Sequence, residues 1–327
     1  MMSKPSGCAM PLIRMSKFEI KDVTKLFAVG EETLGSKAKE WLVTEVGSDD
    51  MLLWKACRKD VGDDWPEKIA ERLANLIRLP HAHVELATRR GERGVVVRDF
   101  RVLDGMRIGD FVPGNELMWK ADAAYPKGQK RKSLAYTVER SMRTLHELGA
   151  QHPQTGVQWG EKLLAEECFV GDLLFDAWIS NQDRHHENWG VLRRLPTTFH
   201  AGLIMSPSFD HASSLAHNET DSKRAFRLET KDSKASIEVW SKKAMSPFFA
   251  EGPNTRQITT MEALAAAAAI SPAAFSRWRE RLAAVEEAQV VAEIEALPDE
   301  YLSPVGRRFT LTLLDLNRRA ILSLATP

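Results

Sequence analysis

The sequence has few cysteines and no long hydrophobic run. Cys8, Cys57 and Cys168 are its three cysteines, and none belongs to a C-x-x-C pair. An odd number of scattered cysteines, with no secretory leader before them, argues against a disulfide framework and favours a reducing, cytoplasmic location. The longest apolar run, Ala263 to Ile270, has eight residues, far short of the roughly 20 that span a bilayer. We therefore expect no membrane segment.

An excess of charge of either sign is also missing. The chain has 45 basic and 45 acidic residues, which give a formal net charge of zero. No overall field would draw such a protein to nucleic acid or to an anionic membrane, and we expect no direct binding to nucleic acid. Recognition of any partner must therefore depend on local features of the surface.

The hydrophobic pattern changes character near residue 100. Short β-type runs at 40–46, 51–56, 84–87 and 94–100 precede it, with one amphipathic helix over 66–77. Helical periodicity dominates afterwards, at 134–148, 161–179, 261–270, 272–295 and 309–324. The chain of 327 residues is thus predicted to be an α+β protein with a flexible tail (1–19), a small mixed lobe (20–100) and a larger helical lobe (101–327).

A polar stretch, SNQDRHHENWGVL, runs from Ser180 to Leu192, directly after the helix predicted at 161–179. Two strands, over 189–193 and 198–205, are predicted to follow as a hairpin. The start of the first strand of a hairpin lies beside the end of the second. Asn188 and Asp210, in SPSFDHASSL, should therefore be close together, with Asp183 nearby on the loop.

These side chains are suited to phosphoryl transfer. Asp183 is a carboxylate that can act on a hydroxyl, while Asn188 and Asp210 offer oxygens to a hard cation such as Mg²⁺. Their spacing, D-x-x-x-x-N followed by a later Asp, is typical of a kinase catalytic loop and its metal-binding residue.

The longer stretch LLFDAWISNQDRHHENWGVL, together with SPSFDHASSL, resembles the HipA-like serine/threonine kinases. DRHHEN is also similar to the catalytic loop of phosphatidylinositol 3/4-kinases. The resemblance is strongest over about residues 160–216. It implies a bilobal kinase-like fold that binds ATP and Mg²⁺, with Asp183 as catalytic base, His185 ordering the loop, and Asn188 and Asp210 holding the metal.

Weaker motifs extend the resemblance upstream. Lys55, in the strand MLLWKACR, stands where a kinase keeps its phosphate-binding lysine. DDWPEKIAERLANLIRLPHAHVELA resembles the helix that bears the partner carboxylate, which is either Glu67 or Glu71, four residues later on the same side of the helix. VVVRDF resembles the connector between lobes, where the backbone of Arg98 and Phe100 would meet adenine.

VGEETLGSKAKEWL occupies the place of the family's phosphate-covering loop but departs from its pattern. It contains Gly30 and Gly35 but no G-x-G-x-x-G. Gly35, Ser36 and Lys39 are expected to bind the phosphates, with Lys39 supplying charge that a denser glycine loop would supply with amides. The resemblance also implies an autophosphorylated hydroxyl in this loop, at Thr33 or Ser36. A phosphate there would add roughly two negative charges beside Lys37 and Lys39 and would repel ATP or displace the loop.

A second departure concerns the partners. The extra N-terminal segment of full-length family members is missing before residue 20, so the chain resembles a short form of the family. We expect a protein substrate, which the sequence does not identify, and include a regulatory or antitoxin-like protein as a second partner.

Four functions follow from these features. The first is ATP- and Mg-dependent transfer to a Ser or Thr hydroxyl of a protein, and the second is a lipid or small-molecule kinase. The third is a hydrolase that binds a transition metal through His185, His186, His211, Asp183 and Asp210. The fourth is a pseudokinase that only binds nucleotide, which the presence of all three catalytic oxygens disfavours.

Overall fold

The computed structural model describes residues 16–31, 39–58, 62–103, 105–129, 132–150, 163–194, 202–253 and 255–325. A six-stranded sheet with one helix forms the N-terminal part, and a helical assembly forms the rest, as predicted for an α+β protein. The N-terminal elements are β1 (Ile20–Asp22), β2 (Phe27–Glu31), β3 (Lys39–Val43), β4 (Leu52–Ala56), α1 (Trp65–Leu76), β5 (Val84–Arg89) and β6 (Glu92–Arg98).

The strands of this sheet lie in the order β1-β5-β6-β4-β3-β2. β1 is parallel to β5, and the other neighbours are antiparallel. Apolar side chains on one face, such as Val95 and Val97, join the main core, whereas Trp54 and Val96 form a smaller cluster on the other face. The sheet is thus covered by apolar packing on both sides, which explains the continuous apolar run in β6.

Helix α1 begins where the sequence favours a helix start. The Asp64 side chain caps the helix by accepting from the Trp65 amide, and Pro66 occupies the first turn, where its missing N–H is harmless. Ile69 and Leu73 are fully buried in the core that α1 shares with the sheet. The helix is therefore fixed on the sheet by its apolar face.

The described residues of the C-terminal part form three further small sheets and the remaining helices. Its strands are β7 (Val102–Leu103), β8 (Met106–Arg107), β9 (Gly109–Pro113), β10 (Gly190–Arg194), β11 (Leu203–Met205), β12 (Met245–Phe249) and β13 (Gln257–Thr259), and β7 pairs with β8. Its helices are α2 (Gly114–Ala121), α3 (Val138–Leu148), α4 (Ala165–Ile179), α5 (Asp221–Glu229), α6 (Ile237–Trp240), a 3₁₀ turn (Ser241–Lys243), α7 (Thr260–Ile270), α8 (Pro272–Ala283), α9 (Glu287–Glu295) and α10 (Pro304–Ser323).

Helix α4 is the centre of this part. It packs against α3, α7, α8 and α10, and nearly all of its side chains are buried. A helix that is apolar on all sides belongs in the interior of a large assembly. The segment that follows α4 thereby starts from a buried helix that packs against four others.

The single helix predicted over 272–295 is wrong, because the structure has two helices there. α8 ends at Ala283, where Arg318 donates to the carbonyl oxygens of Leu282, Ala283 and Val285. Glu286 and Gln289 then form a capping box that begins α9. The chain turns because Arg318 and this box satisfy the backbone groups that a continuous helix would have paired.

The predicted hairpin is confirmed, and it belongs to a larger sheet. β10 and β11 pair antiparallel, with Val191 opposite Met205, although residues 195–201 between them lie outside the described part of the chain. β9 pairs with the other side of β10 and was not predicted, and neither was α2, which follows it directly. Among the described helices, none is long and apolar enough to cross a membrane.

Candidate active site

The ammonium group of Lys55 lies between two carboxylates from distant parts of the chain. Its Nζ is 2.9 Å from Oε1 of Glu67 on α1 and 3.1 Å from Oδ1 of Asp210, which follows β11. Lys55 is 6% exposed and Glu67 is 2% exposed. Burial alone would lower the pKa of Lys55, but the charges of Asp210 and Glu67 outweigh it and raise that pKa. The lysine therefore stays charged in a nearly dry environment.

The structure distinguishes the two carboxylates that the sequence left open as partners of Lys55. Glu67 contacts Lys55, whereas Glu71 accepts from Lys68 at 3.0 Å and lies 3.5 Å from His83. Burial tends to raise the pKa of Glu71, but the His83 hydrogen bond and the Lys68 charge lower it to about 2. Glu71 is thus an ionised side chain that belongs to another cluster.

A second buried lysine reaches the same aspartate. Lys39 on β3 lies directly opposite Lys55 in the register of the sheet, and its Nζ is 3.6 Å from Oδ2 of Asp210. Asp210 has a left-handed backbone conformation, with φ of 60°, a geometry that is rare for residues other than glycine and concentrates at functional sites. Two cations from neighbouring strands therefore converge on one carboxylate.

The loop that carries Asp183 is closed by short-range hydrogen bonds. Asn188 Nδ2 donates to the backbone oxygen of Asp183 at 2.7 Å, and the His185 amide donates to the same oxygen at 2.7 Å. His185 Nδ1 accepts from the Glu187 amide at 3.2 Å. The D-x-x-x-x-N spacing thus folds the segment back on itself, and His185 contributes to its order.

Arg184 holds this loop to the helical core, although the sequence had not singled it out. It is 1% exposed and donates to both carboxylate oxygens of Asp176 on α4, at 2.7 and 2.8 Å. It also donates to the Asn188 backbone oxygen and to Oγ of Ser208, just before Asp210. One guanidinium therefore links α4, the loop and the segment of Asp210.

We expect the Arg184→Met variant to lose about 3–5 kcal/mol of unfolding free energy, because it leaves the buried Asp176 carboxylate without its cation. Urea unfolding followed by tryptophan fluorescence measures the loss. The matched control is Arg193→Met, which removes an arginine that is 63% exposed and 3.5 Å from Asp110. That control should cost less than about 1 kcal/mol. Equal losses in the two variants would show that Arg184 is not a special anchor.

The outer side of the loop rests on β9 and α2. The Gly114 amide donates to the Trp189 oxygen and the Asn115 amide to the His186 oxygen. A Cβ at Gly114 would overlap the Trp189 ring, so this position requires glycine for the close approach. The start of α2 therefore contacts the loop through two backbone hydrogen bonds.

Phe209, next to Asp210 in the sequence, packs with two other aromatic rings, one of them from the connector. Phe100, Phe111 of β9 and Phe209 have ring centroids 5.3 to 5.6 Å apart, in tilted or edge-on contact. Phe111 and Phe209 were not predicted, although the position of Phe209 next to Asp210 was a usable signal.

The Arg98 amide donates to the His83 oxygen within the sheet, and its side chain pairs with Asp50 at the surface. Arg98 thus takes part in the sheet through its amide.

The predicted phosphate-covering loop falls largely outside the described part of the chain. Thr33, Gly35, Ser36 and Lys37 are among the residues that are not described, whereas Lys39 is. The roles expected for Gly35 and Ser36 stay predictions.

The histidines of the predicted hydrolase site do not converge. His211 Nε2 lies 3.1 Å from Arg184 Nη2 and 2.9 Å from Ser208 Oγ, and burial together with the Arg184 charge lowers the pKa of His211 well below its usual value. His186 Nδ1 lies 2.7 Å from Tyr125 Oη in the interior. Across the described residues, no three His, Cys, Asp or Glu side chains could hold a metal ion.

The donor set fits a nucleotide and a hard cation better. Two buried lysines can neutralise phosphate charge, and the oxygens of Asp210 and Asn188 are of the type that Mg²⁺ prefers. Mg²⁺ at phosphoryl-transfer sites is held by one or two protein oxygens together with the phosphates, without a cage built from protein alone. The residues present are therefore compatible with Mg-ATP.

The fold is similar to that of a Helicobacter pylori protein described as the proinflammatory kinase CtkA. The TM-score is 0.68, and the match covers 94% of this chain and 100% of that one at 17% identity. HipA, in a complex of the Shewanella oneidensis MR-1 toxin–antitoxin proteins HipA and HipB with operator DNA, matches with a TM-score of 0.48 at 14% identity, over 97% of this chain and 73% of that one. No protein-family model and no curated protein matches the sequence. The CtkA likeness confirms the predicted kinase-like fold.

Proposed function

We propose that the chain is a kinase that transfers the γ-phosphoryl group of Mg-ATP to a Ser or Thr hydroxyl of a protein. The observation that carries this proposal is the position of Lys55 between Glu67 and Asp210, at 2.9 and 3.1 Å. A strand lysine paired with a helix glutamate, beside a metal-binding aspartate, is the arrangement that active protein kinases require. CtkA, whose fold is similar, is described as a kinase.

Each residue of the site has a chemical task in this proposal. Lys55, with Lys39 beside it, neutralises phosphate oxygens, and Glu67 keeps Lys55 in place. Asp210 and Asn188 would hold Mg²⁺, which supplies a positive charge to the phosphates when it is bound. The Phe100, Phe111 and Phe209 rings would offer an apolar surface to the adenine, next to the connector.

Asp183 acts on the acceptor. Its carboxylate belongs to a loop that Arg184 ties to α4 and to the Asp210 segment, and that Asn188 closes by donating to the Asp183 backbone oxygen. A carboxylate held in this way can orient an incoming hydroxyl and accept its proton as the phosphoryl group moves. His185 contributes through the order of the loop.

The acceptor class is tested by incubation with γ-labelled ATP and Mg²⁺, alone and with cell lysate, followed by separation of proteins, lipids and small metabolites. Label on serine or threonine of protein supports the proposal. Label confined to lipid or to a metabolite would reassign the acceptor and leave the nucleotide site intact. Nucleotide binding with no transfer to any fraction would indicate a pseudokinase.

Autophosphorylation is expected on Thr33 or Ser36. A phosphate there would place roughly two negative charges near Lys39 and the phosphates of ATP, which should weaken nucleotide binding. Intact mass and peptide mapping, before and after incubation with Mg-ATP, measure the modification, and the Asp183→Ala protein serves as control. We expect phosphate on Thr33 or Ser36 in the parent protein and on neither residue in the Asp183→Ala protein. If the parent carries no phosphate on either residue after long incubation, the hypothesis is wrong.

The remaining expectations concern location and partners. A cytoplasmic protein substrate fits the cysteine content and the balanced charge, and a regulatory or antitoxin-like protein is proposed as a further partner. We expect no direct contact with nucleic acid, because the chain has no net positive charge.

A further inference from the structure

Helix α1, which carries Glu67, is also bound to the helical part of the chain. Arg72 Nε donates to Oε2 of Glu293 on α9 at 2.8 Å, and Arg72 Nη2 donates to Oε1 of the same residue at 3.0 Å. Five positions separate Glu67 from Arg72, which places them about 140° apart around the helix. One side of α1 thus meets Lys55 while another side is held by α9.

The form of this ion pair makes it stronger than most pairs near a surface. Isolated exposed pairs contribute little to stability, because both side chains are solvated and mobile. Here two parallel hydrogen bonds fix the planar guanidinium against the carboxylate, and the Glu293 side chain is only 15% exposed. Reversal of one charge would place two like charges in this partly buried contact.

The segment before β1 forms a second connection between the same two helices. The Phe18 amide donates to the Ala296 oxygen at the end of α9, and the Phe18 ring lies beneath the cations of Lys68 and Arg72 on α1. Lys17 Nζ donates to the backbone oxygens of Glu295 and Leu297. Residues 17–18 therefore connect α1 to the C-terminal end of α9.

A third connection holds the start of α1. Arg93 of β6 pairs with Asp64, the N-cap residue, at 3.0 Å and donates to the Glu300 backbone oxygen. Its guanidinium also lies 3.7 Å from the centre of the Tyr301 ring. The N-terminal end of α1 is thus linked, through Arg93, to the turn that follows α9.

We propose that residues 293–301 act as an internal brace that holds α1 against the sheet, so that Glu67 meets Lys55 without an activating partner or phosphorylation. This inference rests on the proposed kinase function. The position of the helix that bears the partner glutamate is what controls activity in many protein kinases. Arg72 and Glu293 are positioning residues in this scheme, since they act on the nucleotide site only through Glu67.

The test combines charge reversal with a mutant cycle. Arg72→Glu and Glu293→Arg are each expected to lower kcat by about ten-fold, mainly through misplacement of Glu67. The double swap Arg72→Glu/Glu293→Arg restores an ion pair of opposite polarity and should recover most of the loss. Arg308→Glu, which breaks an exposed pair with Glu229 on α5, is the matched control and should leave turnover within about two-fold.

A double-mutant cycle that combines Arg72→Glu with Glu67→Gln separates an effect on the position of Glu67 from general damage to the fold. If Arg72 acts through Glu67, the Arg72→Glu change should have little further effect in a protein that already lacks the Glu67 carboxylate. An equal loss in both backgrounds would overturn the brace as a positioning device. So would retention of parent turnover in both single reversals.

Amide hydrogen exchange of residues 65–76 provides a readout that does not need activity. Faster exchange in Arg72→Glu, reversed in the double swap, is the expected result, and unchanged exchange in both single reversals would contradict the brace. If the parent protein transfers no phosphate at all, the proposed function fails, while the exchange data still decide whether α9 holds α1.

Discussion

The Asp183→Ala variant is expected to lose at least about 100-fold in phosphoryl transfer while it keeps its affinity for Mg-ATP, because a catalytic base acts on the acceptor and not on the nucleotide. The loop should survive the change. Asn188 and His185 donate to the backbone oxygen of residue 183, which alanine retains. Turnover and nucleotide affinity are measured on the same preparation, with Gln182→Ala, an exposed neighbour, as the control.

Two outcomes would contradict this role for Asp183. Turnover within a few-fold of the parent would remove the carboxylate from the mechanism. A parallel loss of Mg-ATP affinity and of turnover would place Asp183 in the nucleotide site instead. The Gln182→Ala control is expected to behave like the parent, since its side chain has no task in the proposal.

The Asp210→Asn variant is expected to lose the magnesium dependence of ATP binding, with a drop in Mg-ATP affinity of at least about ten-fold. The substitution keeps the shape of the side chain but removes the charge that a doubly charged ion needs. Binding is titrated with Mg²⁺ and with EDTA. An affinity for Mg-ATP equal to that of the parent would exclude Asp210 as a metal ligand.

Glu67→Gln is the matched control for Asp210→Asn, because each change removes one of the two carboxylates that contact Lys55. Loss of Glu67 should weaken ATP binding to a similar extent with and without Mg²⁺, since its carboxylate contacts Lys55 and is not one of the proposed metal ligands. If the magnesium dependence of ATP binding is lost in Asp210→Asn and retained in Glu67→Gln, Asp210 acts as the metal ligand and Glu67 as the partner of Lys55.

Three of the residues proposed for catalysis and metal binding could be selected from the sequence because they are close together in the chain. Asp183, Asn188 and Asp210 lie within 28 residues of one another in the chain, and the strands that separate the last two, β10 and β11, were predicted as a hairpin. Lys55 follows from the position of a lysine in an apolar strand. The choice between Glu67 and Glu71 needed the structure, since both lie on the same side of α1.

The supporting contacts could not be predicted, because they join residues that are distant in sequence and ordinary in type. Arg72 and Glu293 are 221 positions apart, and each would pass for a surface charge on an amphipathic helix. β2 shows no alternation of burial, since all five of its residues are exposed. Asp176 was a missed signal: a buried carboxylate in a largely apolar helix requires a buried partner, and that partner is Arg184.

The most direct test of the site is a crystal structure with Mg²⁺ and a non-hydrolysable ATP analogue. The proposal predicts oxygens of Asp210 and Asn188 on the metal, Lys55 hydrogen-bonded to a phosphate oxygen while it remains paired with Glu67, and the adenine beside Phe100, Phe111 and Phe209. A nucleotide bound elsewhere, or a metal that contacts neither Asp210 nor Asn188, would contradict it.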